Sequence, residues 1–263
     1  IQGTFTNSST TGWVTSSTFT VDNTAPSDVS LSISNAVIGD GSSTINRAWF
    51  TTAESGSIDF SWSANDAHIS YATLTNVPGS GSPPQDGPGT LLNAWSWSPG
   101  DLEEGKWTTV LSVFDEAGNS AQTSIYIGID RSGPEVGTPT LSVAPGSWRD
   151  SATLIFNGLA SNASDNSGSG IDSYHVRDSA GEWSDIGSAG AGSMGLSEGI
   201  RTIQFRATDR VGNIGDSHSV TMMIDRTAPI AGGWVFASEI TDSLFGSVAV
   251  SIDATDANAG IDV

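Results

Sequence analysis

Aspartate is the residue whose placement can do chemistry in this chain. Three segments share the order hydrophobic-Asp-X-(Thr/Ser)-(Ala/Gly)-Pro: Val21 to Pro26, Ile129 to Pro134 and Ile224 to Pro229. Their aspartates, Asp22, Asp130 and Asp225, recur 108 and 95 residues apart. Asp115 and Asp209 open a second repeated signature, Asp-X-X-Gly-Asn, which closes on Asn119 and Asn213. Each stands 15 or 16 residues before the next of the first three. A third landmark, Leu102-Glu103-Glu104-Gly105 and Leu196-Ser197-Glu198-Gly199, begins 13 residues before the Asp of the second both times. Carboxylates and amides are hard oxygen donors. Gathered in number they suit Ca²⁺, which takes roughly six to eight oxygens in flexible geometry.

Other chemistries find little to work with. The chain has no cysteine, which excludes disulfides, thiolate catalysis and Cys-ligated zinc. His68, His175 and His218 form no motif with a serine or aspartate. Paired-acid glycoside hydrolysis needs two carboxyls roughly 5–10 Å apart in a cleft, and the adjacent Glu103 and Glu104 cannot both face one pocket. No Gly-rich phosphate loop or His-based metal motif occurs. The chain reads as non-catalytic. With 29 acidic against 9 basic residues and a net charge of −20, it also lacks the clustered cations that nucleic acid requires. No apolar run approaches the ~18–20 residues of a bilayer span, so no membrane insertion is expected of this segment. Lys106 is the sole lysine, so the stretch 131–225 cannot form a Lys–Asn cross-link.

The elements that must position the aspartates repeat with them. The landmarks divide the chain into 1–22, which matches the end of a unit, two full units at 23–130 and 131–225, and 226–263, which matches the start of another. Within a unit the period is two. Ser57 to Trp62, Trp107 to Phe114 and Ile200 to Ala207 alternate apolar with polar residues, the mark of half-buried strands. Asp-X-X-Gly-Asn joins two such runs, and Gly and Asn accept the positive φ of a tight hairpin. About seven short strands in ~95 residues is the pattern of an immunoglobulin-like sandwich. The expected fold is all-β: tandem immunoglobulin-like β-sandwiches in a linear array. The first full unit is the longer, expanded between Asn35 and Ser55, and it carries 12 acids against 2 bases. Pro78 to Pro84 reads as a long surface loop.

The junction sequences DNTAP, DRSGP and DRTAP, the hairpins DEAGN and DRVGN, and the run GSGIDSY at Gly168 to Tyr174 resemble the tandem bacterial Ig-like and cadherin-like repeats of large secreted or surface-anchored adhesins. The resemblance spans the chain and implies an extracellular or cell-surface stalk or adhesive segment. Its partners would be neighbouring Ig-like domains of the same chain, with surface glycans or other cell-surface proteins as further candidates.

In such a sandwich the loop between the second and third strands and the last hairpin lie at the N-terminal end. Each junction Asp would therefore face the next unit's loops. Asp22 and Asn23 would meet Asn65, Asp66, Asp115 and Asn119. Asp130 would meet Asp165, Asp172, Asp209 and Asn213. Asp225 would meet Asp253, Asp256 and Asp262. Three readings stay open for these residues: calcium at the junctions, turn-capping in which each aspartate accepts from its own backbone N–H groups, or junction contacts of other kinds. Asp165 to Asp172 resembles an oxygen-rich calcium loop but lacks the closing Glu of an EF-hand.

Five of the nine tryptophans, Trp49, Trp62, Trp95, Trp97 and Trp107, fall in unit 23–130, where ordinary burial with an inter-domain contact competes with a different role, a glycan- or protein-binding face. Trp95 and Trp97 share one face of a strand there, while Trp62 and Trp107 read as core. The same sandwiches could also pack laterally as subunits of a surface filament or surface layer, or serve as an appendage to an enzyme. Asn7 and Asn162 head N-glycosylation patterns.

Overall fold

The computed structural model describes residues 20–51, 57–77, 85–86, 94–98, 102–236 and 250–261. The loop at 78–84, Asn7 and Asp262 lie outside them. The chain divides into two compact units, residues 1–131 with Ser167–Ser169, and residues 132–166 with 170–263.

In the first unit the strands are β1 (Ser27–Ser34), β2 (Ala48–Phe50), β3 (Ile58–Asn65), β4 (Ile69–Thr75), β5 (Gln85–Asp86), β6 (Ala94–Trp97), β7 (Gly105–Asp115) and β8 (Ser120–Ile129). They form a three-stranded sheet in the order β1-β3-β6 and a five-stranded sheet in the order β2-β8-β7-β4-β5. The alternation of β3 turns Ile58, Phe60 and Trp62 inward and leaves Ser61 and Ser63 exposed. One cluster joins those three to Leu74, Leu111, Val113, Ile125 and Ile127 of the other sheet. Burial of these apolar faces against each other is what holds two sheets as a sandwich. On the outer face, Ser30 meets Ser63 and Ser32 meets Ser61, each pair at 2.7 Å.

The second unit repeats the plan with strands β9 (Glu135–Val136), β10 (Thr140–Leu141), β11 (Trp148–Arg149), β12 (Thr153–Asn157), β13 (Ala163–Ser164), β14 (Ile171–Asp178), β15 (Ser184–Gly187), β16 (Gly192–Gly195), β17 (Gly199–Asp209) and β18 (His218–Ile224). Its sheets run β10-β12-β16 and β11-β18-β17-β14-β15, with β13 paired to β9. Leu154, Phe156, Tyr174, Val176, Ile203, Phe205 and Met222 make a separate core. In each unit a very short strand, β2 or β11, pairs parallel with the last long strand. Two more strands, β19 (Ile230–Phe236) and β20 (Val250–Thr255), form an antiparallel pair. The fold is all-β and of the immunoglobulin-like sandwich class. Among the described residues no helix is long and apolar enough to cross a membrane.

The junction at Ser132-Gly133-Pro134 shows why glycine replaces the alanine of the other two. A Cβ on Gly215 would stand 1.7 Å from the Pro134 carbonyl oxygen, and one on Gly133 would stand 2.3 Å from the Ile214 backbone. Backbone meets backbone here, so nothing soft can give way. Gly215→Ala should destabilise the second unit by roughly 1–3 kcal/mol, read as a lowered urea midpoint with an unchanged slope.

Candidate functional site

The two Asp-X-X-Gly-Asn hairpins fold alike. Asp115 N donates to Asn119 O at 3.0 Å and Asp209 N to Asn213 O at 3.1 Å. Gly118 and Gly212 take φ of 91° and 93°, which a side chain would strain. The aspartate then clamps its own turn. Asp115 Oδ1 accepts from Asn119 N at 2.8 Å and Oδ2 from Asn119 Nδ2 at 2.7 Å. Asp209 Oδ1 accepts from Val211 N and Asn213 N, both at 2.9 Å, and Oδ2 from Asn213 Nδ2 at 2.8 Å. Both aspartates are buried.

In the first unit this turn also holds the chain that enters it. Asn119 Nδ2 donates to the carbonyls of Asp22 and Thr24, at 3.2 and 3.4 Å. Asp22 and Asp66 cap their own turns, accepting from Thr24 N at 3.0 Å and His68 N at 2.7 Å. The result is convergence: Asp22, Asp66 and Asp115 each offer a carboxylate oxygen, all within 4.8 Å of one another. Asn23 is exposed, and the backbone carbonyl of Asn65 accepts from Ser27 Oγ at 3.2 Å.

In the second unit Asp165 and Asp209 bring carboxylate oxygens within the same 4.8 Å. The oxygen-rich loop folds on itself through Gly170 N, which donates to Asp165 Oδ2 at 2.6 Å. Asp172 points outward from β14 and is exposed. Asp130 is fully buried in the first unit and accepts from Ser169 N at 2.6 Å. Asn162 spends its amide on the Thr138 carbonyl, at 3.0 Å.

Asp225 accepts from Thr227 N at 3.0 Å and from Ala259 N at 2.8 Å. Asp256 accepts from Asn258 N and Gly260 N; Asp253 is exposed. Sequence reasoning passed over Glu198, whose Oε1 accepts from Thr227 Oγ1 at 2.6 Å and Asn258 Nδ2 at 2.9 Å. The signal that could have found it is its place in the third repeated landmark. Among the described residues this set does not bring three carboxylates within 4.8 Å.

These donors move the carboxyls. The N–H groups of Ala259 and then Thr227 hold Asp225 below the ordinary 3.8. Burial pushes Asp115 upward, but Asn119, Gly118 and Ala117 outweigh it, and its carboxyl also lies below 3.8. A carboxyl lowered on folding stabilises the fold above its unfolded pKa, and that contribution is lost as pH falls through the folded one. Denaturant midpoints should therefore hold from neutral pH to about 5 and drop from about 4 downward. Asp225→Asn should flatten that drop.

The remaining candidates are structural in placement. Trp95 stacks on buried Trp62 with ring centroids at 6.4 Å, and Trp97 meets Phe60 edge-on at 5.3 Å. Both rings pack on the core, as does half-buried Trp107. Trp49 is buried beneath the Lys106 ammonium at 5.3 Å. His175 Nε2 lies 3.2 Å from Ser173 Oγ and 3.0 Å from Thr208 Oγ1, and no carboxylate among the described residues hydrogen-bonds to it.

No protein-family model matches the chain, and no curated protein matches it. Solved structures match at low identity. A 1.5-MDa bacterial ice-binding adhesin is 16% identical with a TM-score of 0.42, covering 89% of this chain and 78% of its own. A Ca²⁺-stabilised adhesin of an Antarctic bacterium is 17% identical with a TM-score of 0.35, covering 84% and 55%. The fibronectin(III)-like modules of Clostridium thermocellum CbhA are 14% identical with a TM-score of 0.32, covering 74% and 94%.

Proposed function

We propose that the chain is a non-catalytic structural segment of an extracellular or cell-surface repeat protein, a stalk or adhesive spacer stiffened by calcium where one repeat leads into the next. The observation that carries this is the meeting of Asp22, Asp66 and Asp115 within 4.8 Å. Three like charges at that separation repel, and a cation relieves the repulsion. The donor set is three carboxylates, all oxygen, with no sulfur or imidazole in it. That chemistry fits Ca²⁺ over a transition metal. Asp22, Asp66 and Asp115 would hold the ion and tie the entering chain to the hairpin of the first sandwich. By sequence, Asp130 stands in the repeat where Asp22 stands, and the same reading extends to it.

Turn-capping is the second reading, and the paired bonds from Asn119 to Asp115 favour it. The two are separable because capping needs no metal. Solution scattering with calcium and with chelator tests the stalk: the maximum dimension should shrink and the profile become more flexible on chelation. An unchanged profile would leave capping as the whole role.

A further inference from the structure

The outer face of β14 and β17 in the second unit carries charge of the opposite sign from the rest of the chain. Arg177 and Arg206 lie with their Cζ atoms 4.5 and 4.1 Å from the ring centroid of half-buried Trp183. His175 stands across the ladder from Arg206, and Arg177 from Gln204. Arg177 Nε donates to Gln204 Oε1 at 2.8 Å. Neither guanidinium forms an ion pair among the described residues. Of the nearby carboxylates, Asp178 pairs with Arg201 Nε at 2.9 Å, while Asp185, across the ladder from His175, caps Gly187 N at 2.7 Å and forms no ion pair with either guanidinium. Burial, and then the charge of Arg177, lower the pKa of Arg206, as expected of two uncompensated cations side by side.

The sandwich does not need these charges. The registers Tyr71↔Phe114 and Ser173↔Thr208 follow the same bulge in the two units. Counting along the strands from there, the first unit has Thr73, Thr75 and Ser112 where the second has His175, Arg177 and Arg206. In a chain of net charge −20, two unneutralised guanidiniums beside one aromatic ring are a choice of side chain that the fold leaves free.

We propose that this face binds an acidic polysaccharide, a chain of uronate units whose carboxylates pair with Arg177 and Arg206 while a sugar ring lies at Trp183. Guanidinium and carboxylate are planar and pair through two parallel hydrogen bonds. A narrow anionic strand can lay its carboxylates on the patch while salt screens it from acidic groups more than about a Debye length away. A second copy of this chain would have to press a whole surface of its own negative charge against this one.

The test is calorimetric titration of the full chain with an oligogalacturonate and with a neutral glucose oligomer of equal length, in chelator because uronates themselves bind calcium. Binding of the uronate alone, weakening with salt, is the expected result. Arg177→Thr with Arg206→Ser, the first unit's own residues, should weaken it about tenfold or more, as loss of charge-assisted bonds does. Should that variant fail to fold, Arg177→Lys with Arg206→Lys keeps the charge and loses the paired geometry, and its affinity should still fall. The proposal is overturned by absent uronate binding, by equal binding of the neutral oligomer, or by affinity indifferent to both variants. Sedimentation showing a dimer that these variants dissolve, without uronate binding, would make a second copy the occupant and overturn it equally.

Discussion

Phe60→Ala should unfold the first unit at a much lower temperature while the second keeps its transition. Phe60 is 1% exposed within β3. It is paired across the ladders to Ile33 on one side and Trp95 on the other, with the Trp97 edge 5.3 Å away. Removing a buried phenyl ring costs about 3–5 kcal/mol, the lost transfer energy plus the cavity left behind. A domain holds only about 5–15 kcal/mol in all, so this one change consumes a large fraction. The two hydrophobic clusters share no residue, and that is why the second transition should stay in place. Phe156→Ala is the mirror experiment: Phe156 is buried in β12, edge-on to Phe205 at 5.2 Å, and should lower the other transition. Ser61→Ala, on the exposed face of the same strand as Phe60, should change stability by less than about 0.5 kcal/mol. Calorimetry resolving two transitions checks all three. A Phe60→Ala that moved both transitions together would mean the cores are not independent.

The long strands were legible because their period is two. Trp107 to Phe114 falls inside β7 and Ile200 to Ala207 inside β17, and the Gly-Asn hairpins announce their own turns. The short parallel strands were not legible: Ala48–Phe50 and Trp148–Arg149 are too brief to show a period, and only pairing with a strand about 80 residues away defines them. Arg47 showed no sign of burial, yet it is 9% exposed and donates to the carbonyls of Trp107 and Ile127, both at 2.7 Å. The spacing of Trp95 and Trp97 placed them on one face without saying which. That face is the core, because β6 runs beside β3, whose inward residues are Phe60 and Trp62. For the aspartates, types and order could be read from the repeats. The convergence of Asp22, Asp66 and Asp115 depends on side-chain directions that spacing alone does not contain.

Calcium should raise the unfolding temperature of the first unit, and one pair of variants separates that effect from turn-capping. An ion that binds only the folded state adds about 2.7 kcal/mol at a hundred times its Kd, on the order of 10 °C for a unit of this size. Asp66 uses Oδ1 to accept from His68 N, and an asparagine oxygen can do the same. Asp66→Asn should therefore leave the chelated protein as stable as before, or slightly more so through lost repulsion. It should nevertheless remove most of the calcium shift. Asp115 differs because both its oxygens accept from Asn119, and an asparagine offers one oxygen where two are needed. Asp115→Asn should destabilise the first unit with or without the ion. Magnesium, which keeps its waters and prefers strict octahedral geometry, should reproduce little of the effect. If calcium moved nothing while Asp115→Asn still destabilised, these aspartates would be caps alone. Stiffness at the entry to the sandwich would then rest on the bonds from Asn119 to the Asp22 and Thr24 carbonyls.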